Sequence, residues 1–132
     1  MDKFGTFPPW FLVRQPTEIP EKVVGDVRKA IAVDFAAEPL LAACWTPALL
    51  GGAAAFVLVT RDRIISKTAH SLRQARFRDV TAVNRSVLGK DVVAVTASGK
   101  LDLFNWQQMP PAALCAALYR IIEPHWQRVT AA

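Results

Sequence analysis

PLLAACWTPALLGGAAAFVLVT, residues 39–60, is a run of 22 residues without a charge, and its reading as helix or strand decides the fold. As one helix it would be about 33 Å long, enough to span a bilayer core. Pro47 and the Gly51-Gly52 pair stand in its middle and cut it into apolar pieces of about eight residues each. Ala42-Ala43-Cys44-Trp45 and Ala53-Ala54-Ala55-Phe56-Val57-Leu58-Val59 therefore read as two strands joined by a loop.

The same style of short apolar run and polar turn continues from Glu38 to Phe104, the mark of a mostly antiparallel sheet. Strands are predicted at 39–46, 53–60, 63–67, 75–78, 80–86, 91–97 and 100–104. Arg61-Asp62 makes a tight hairpin link, Gly89-Lys90 follows Val87-Leu88, and Ser98-Gly99 supplies a residue tolerant of positive φ. A helix then starts at Pro110-Pro111, where missing N–H groups do no harm, and runs to Glu123, where Pro124 stops it. Leu114, Leu118, Ile121 and Ile122 form its core face; Trp126 extends that face beyond the kink, while His125 and Arg128 turn to water.

Upstream of the sheet, Thr17–Val33 reads as a helix. Thr17 caps it, Pro20 lies early in it, Glu18 and Glu21 suit its first turns and Arg28-Lys29 its last. Its apolar stripe is Val23, Val24, Val27 and Ile31, and Gly25 weakens it. Residues 1–16 carry Phe4, Phe7, Trp10 and Phe11 around Pro8-Pro9, too aromatic for a free tail. This arm is expected to pack on its own domain or on a neighbouring subunit. Phe4, Phe7, Trp10 and Phe11, with Leu49 and Leu50 of the apolar loop, are therefore the candidate partner-binding residues.

The expected architecture is mostly β with α: seven antiparallel strands in two bent sheets, a C-terminal capping helix, and an extra N-terminal helix and aromatic arm. Residues 1–36 form the arm and helix, and residues 37–132 the sheet domain; 132 residues call for no more than this.

Seven strands followed by one amphipathic helix is the order of the pleckstrin-homology (PH) fold, and local motifs resemble that family. Phe56-Val57-Leu58-Val59-Thr60-Arg61-Asp62-Arg63-Ile64-Ile65 resembles the second-to-third hairpin of bacterial PH-like domains. Phe77-Arg78-Asp79-Val80-Thr81-Ala82-Val83 is similar to a later segment of theirs, and Val92–Phe104 to their last hairpin. The resemblance covers residues 38–123 and implies a bent two-sheet barrel closed at one end by the helix. PH domains that bind phosphoinositides place basic residues in the loop between the first two strands. Here that loop, Thr46-Pro47-Ala48-Leu49-Leu50-Gly51-Gly52, has no cation, so no specific phosphoinositide is expected.

Charge narrows the function classes. Sixteen Lys and Arg against eleven Asp and Glu give +5 and a pI near 9.7, and the excess is local. Residues 60–90 hold eight bases and two acids, residues 1–59 five and six, and residues 91–132 three of each. Lys67, His70, Arg73, Arg76 and Arg78 are the candidate anion-binding residues of this basic face, which otherwise reads as a solvated sheet surface with Phe77 turned inward between Arg76 and Arg78. Nucleic-acid recognition needs stacking aromatics beside the cations, and Phe77 is the one aromatic between residues 57 and 103. No specific nucleic acid is expected.

Catalysis finds no footing. His70 and His125 lack a nucleophile or carboxylate in a recognisable order, and Asp62 and Asp79 are flanked by arginines. There is no phosphate-cradling glycine loop, no H-E-x-x-H and no acidic cluster, so no enzyme, metal or cofactor is expected. Cys44 and Cys115 read as two buried free thiols of a reducing compartment, and Met1-Asp2-Lys3 does not open a secretory signal, so the location expected is cytoplasmic. Two functions remain: a protein-interaction module that self-associates or binds a protein partner, and a peripheral module for an anionic membrane surface or polyanion.

Overall fold

The computed structural model describes residues 1–6, 8–47, 55–68, 71–86, 89–104 and 110–131. In chain order its elements are β1 (Asp2–Phe4), β2 (Trp10–Val13), α1 (Glu21–Ala30), β3 (Leu40–Thr46), β4 (Ala55–Thr60), β5 (Arg63–Lys67), β6 (Leu72–Arg76), β7 (Val80–Arg85), β8 (Val92–Thr96), β9 (Gly99–Asp102) and α2 (Ala112–Ala131). Single 3-10 turns cover Pro16–Glu18 and Phe77–Asp79. Strands β1 to β6 form one antiparallel meander in sequence order, and β7 to β9 a second.

The uncharged run supplies β3 and β4, as its proline and glycines predicted. Its lack of alternation has a cause: both faces of these strands are buried. Ala42, Cys44, Val57 and Val59 face inward, into a core shared with the second sheet and with Leu114, Leu118 and Ile122 of α2. Ala43, Trp45, Phe56 and Leu58 face the other way, and α1 covers them with Val23 and Val27. Among the described residues no helix is long and apolar enough to cross a membrane.

Nine strands are described where seven were expected, because the arm joins the sheet. Trp10-Phe11-Leu12-Val13 is apolar at every position, so it too needs cover on both sides. Pairing with β3 provides it: Leu12 lies opposite Cys44 on the inner face, and Phe11 opposite Trp45 on the outer. Trp10 is 1% exposed and meets Phe104 edge-on at 5.1 Å, Phe11 stacks on Trp45 at 5.9 Å, and Phe4 packs against the inner core. Of the residues assigned to a partner, Phe4, Trp10 and Phe11 are therefore used within the chain. Phe7, Leu49 and Leu50 lie outside the described residues.

Both helices differ from expectation at a proline. The first is shorter than Thr17–Val33: Pro20 holds an extended ψ of 147°, which resets the chain, and helical bonding begins with Val24 N–H to the Pro20 carbonyl at 3.0 Å. Thr17 belongs to the preceding 3-10 turn and does not cap α1. Gly25 sits mid-helix, and a Cβ built there meets nothing within 4 Å. Gly25→Ala is therefore expected to stabilise the protein by about 1 kcal/mol, read as a higher urea midpoint at unchanged slope.

The second helix continues through Pro124 to Ala131. A proline inside a helix removes one hydrogen bond and costs about 3 kcal/mol. Contacts on its far side offset this. His125 is buried rather than solvated, with Nε2 at 2.7 Å from the Arg61 carbonyl and its ring edge-on to Phe77 at 4.7 Å. Trp126 Nε1 donates to the Val80 carbonyl at 2.9 Å. Ile122, His125, Trp126 and Val129 follow the spacing of one helical face, which carries the packing of Leu114 and Leu118 past the proline.

Candidate anion-binding groove

The two-residue link Arg61-Asp62 between β4 and β5 is organised by a buried hydroxyl. Thr60 Oγ1 accepts the N–H groups of Asp62 at 3.2 Å and Arg63 at 3.1 Å, and donates to Glu38 Oε2 at 2.5 Å. Glu38 also receives Arg63 in a two-pronged ion pair, Nε to Oε2 at 2.8 Å and Nη2 to Oε1 at 3.1 Å. Arg63 further donates to Gln74 Oε1 at 2.7 Å and to the Ala32 carbonyl at 2.9 Å. Its side chain is 19% exposed and Glu38's is 15%. Arg63 is thereby a clamp between the sheet and the segment that follows α1.

The next turn is tied to this one. Phe77 N–H donates to the Asp62 carbonyl at 3.0 Å, and the Phe77 ring is buried at 1% exposure. Arg76 and Arg78 project outward on either side of it, as alternation about an inward Phe77 predicted, although the strand ends at Arg76 and the turn is 3-10. Hairpin link, 3-10 turn and the last part of α2 together enclose a groove of about 690 Å³, with Arg61, Arg63, Arg76 and Arg78 among its walls and Phe77 and Val129 as its apolar lining.

Four guanidiniums face two carboxylates there. Glu38 neutralises Arg63, and Asp62 meets Arg61 at 3.1 Å, a half-exposed pair that also has Arg61 donating to the Ala37 carbonyl. The side chains of Arg76 and Arg78 make no hydrogen bond or ion pair among the described residues, which leaves the groove two positive charges in surplus. Arg63 and Arg76 are direct cross-strand neighbours, an arrangement of like charges that the Glu38 pair makes tolerable.

No protein-family model, curated protein or solved structure matches this chain.

Of the five residues assigned to anion binding, the groove brings together Arg76 and Arg78. Arg73 is elsewhere: β6 turns Arg73 and Ala75 to one face and Gln74 and Arg76 to the other, and Arg73 Nη2 reaches the Asp102 carbonyl on β9 at 2.8 Å. Lys67, at the opposite end of β5 from Arg63, donates to the Thr68 carbonyl. His70 lies outside the described residues. Arg61 and Arg63 enter the groove instead, and the signal for them was the hairpin itself, in which Arg61 lies in the two-residue link and Arg63 directly after it.

Away from the groove, the titratable groups read as structural. Burial pushes both thiols up, Cys44 far above its usual range and Cys115 to about 12, the latter helped by the nearby Asp91 carboxylate. Both cysteines are free and buried, so neither supplies a thiolate near neutral pH. Asp91 Oδ1 accepts N–H groups from Val92 at 2.8 Å and Phe104 at 3.0 Å, pinning the start of β8 to the segment after β9. Desolvation raises the Asp91 pKa in spite of these bonds. The folded state therefore holds the Asp91 proton more tightly than the unfolded state, so this contribution to stability is complete below the ordinary carboxylate value and is lost as pH rises through the folded one. Asp91→Asn keeps the acceptor oxygen and removes the charge. Its stability relative to the parent should rise between about pH 4 and pH 7, compared by urea unfolding at each end.

Proposed function

We propose that this chain is a non-enzymatic interaction module of PH-like architecture, working in the cytoplasm, that docks an acidic segment of a protein partner against Arg76 and Arg78. One observation carries the reading: two arginine side chains without a partner among the described residues, held on either side of a buried phenylalanine over a groove whose other charges are paired. Strands β3 to β6, then β7 to β9, then α2, give the four, three and helix order of the PH fold, which supports the resemblance found in residues 38–123. The motive for self-association was an aromatic arm in want of a surface, and Trp10 and Phe11 have that surface within their own sheet. A peripheral membrane site would favour a flat basic face with exposed apolar side chains. The groove is concave, and among the described residues the large apolar side chains that stand exposed are Met1 and Leu72.

The test is charge reversal. A fluorescent, end-blocked peptide of alternating glutamate and threonine should bind the full chain at low salt, and Arg76→Glu with Arg78→Glu should weaken it at least about tenfold. Reversal of Arg73 should leave peptide affinity within about twofold, because its guanidinium is on the other face of β6. Peptide affinity indifferent to the Arg76 and Arg78 reversals would exclude the groove, and a preference for anionic phospholipid vesicles over the peptide would favour the membrane reading.

A further inference from the structure

The main chain beside Arg76 is itself unfinished. β6 is the last strand of its sheet. Thr68 N–H bonds to the Ser71 carbonyl and Phe77 N–H to the Asp62 carbonyl, with Ile64 opposite Ala75 and Ser66 opposite Arg73. Main-chain groups of successive residues in an antiparallel ladder point to alternate sides. Residues 71, 73, 75 and 77 therefore turn theirs to β5 and its hairpin, and Leu72, Gln74 and Arg76 turn theirs outward, where no strand among the described residues pairs with them. At the Arg73 end β9 draws near, through the Asp102 carbonyl. The Gln74–Arg76 half borders a second groove of about 700 Å³, lined also by Arg63 and the carboxylate residue Asp79, whose far wall is the β8–β9 turn, Thr96 to Ser98.

We infer that the acidic segment docks as an added strand on this edge, its main chain bonding to Gln74 and Arg76 and an acidic side chain lying beside Arg76; this rests on the groove reading above. An edge strand with unpaired N–H and C=O groups is a template for another chain, and side chains beside it choose which. A second copy of this protein would bring its own Arg76 and Arg78 edge to edge with these, against one Asp79 on each side, so a positive excess would remain. An acidic chain neutralises it, so the charges that discourage self-pairing select the partner. Gln74 is neutral, and its side-chain oxygen is already taken by Arg63.

Amide hydrogen exchange of the full, ¹⁵N-labelled chain reads this directly, with the glutamate–threonine peptide as probe. In the free protein the Arg73 and Ala75 amides should be protected and those of Gln74 and Arg76 fast. Saturating peptide should slow Gln74 and Arg76 about tenfold or more, and the Arg76 and Arg78 reversals should abolish the slowing. If the peptide binds in a reversal-sensitive manner but both amides stay fast, strand addition is wrong and the groove reading stands. If the peptide does not bind at all, both fall. Equal slowing by anionic phospholipid vesicles, or slowing that grows with protein concentration in the absence of peptide, would overturn the inference in favour of a membrane or a second copy.

Discussion

Phe77→Ala is expected to destabilise the protein by about 4 kcal/mol, a large share of the 5–15 kcal/mol that holds a domain of this size together. The ring is 1% exposed, lies in the core between the two sheets, and meets the edge of His125 at 4.7 Å. Removing it leaves a cavity that three elements border, the β4–β5 hairpin, the 3-10 turn and α2, and the hairpin is tied to each of the other two by a main-chain or histidine hydrogen bond that resists collapse. Phe77→Leu fills most of the volume and should cost about half as much. Urea unfolding followed by tryptophan fluorescence gives both values. Because Arg76 and Arg78 are positioned by the turn that Phe77 anchors, the alanine variant should also weaken binding of the acidic peptide under conditions where the protein remains folded. A loss below about 1 kcal/mol would show that the turn does not depend on its aromatic anchor.

Glu38→Ala should have two effects of opposite sign. Removing one member of a mostly buried ion pair strands the other, and here Arg63, 19% exposed, would be left with only neutral acceptors. The expected loss is about 3 kcal/mol. At the same time the groove gains a third uncompensated positive charge, so the folded variant should bind the acidic peptide more tightly than the parent does. Replacing both partners, Glu38→Ala with Arg63→Met, should recover about 2 kcal/mol of the loss and remove the gain in affinity. The full double-mutant cycle, measured by unfolding and by peptide anisotropy, separates a clamp from a charge balance. If Glu38→Ala lowers stability and affinity together, Glu38 acts on the groove through its shape.

Much of the fold was legible because burial leaves a pattern in sequence. The breaks at Pro47 and Gly51-Gly52 argued for strands against a spanning helix, and β3, β4 and β5 lie where period and turns put them. The misreadings have a common source: a local signal was judged without its tertiary partner. The arm's four-residue apolar run has no alternation to mark it as a strand, because both of its faces are covered by groups far along the chain. Pro124 carries a stop signal, yet His125 and Trp126 beyond it hold on to carbonyls of Arg61 and Val80. For the strand expected at 75–78 alternation gives the facing but neither bound: the strand is Leu72–Arg76, and it ends there because the 3-10 turn depends on the Asp62 carbonyl that takes Phe77 N–H.

The candidate site divides in the same way. Sequence alone determined that the positive excess lies in residues 60–90 and that Arg76 and Arg78 flank an inward Phe77, because count and strand alternation are local properties. Only the tertiary structure decided which cations remain available. Arg63 is neutralised by Glu38, 25 residues away, Arg73 bonds to a carbonyl 29 residues away, and among the described residues the side chains of Arg76 and Arg78 meet neither. An ion pair needs a few ångströms of proximity whatever the separation along the chain, so the net charge of a groove is settled by what folding brings beside it.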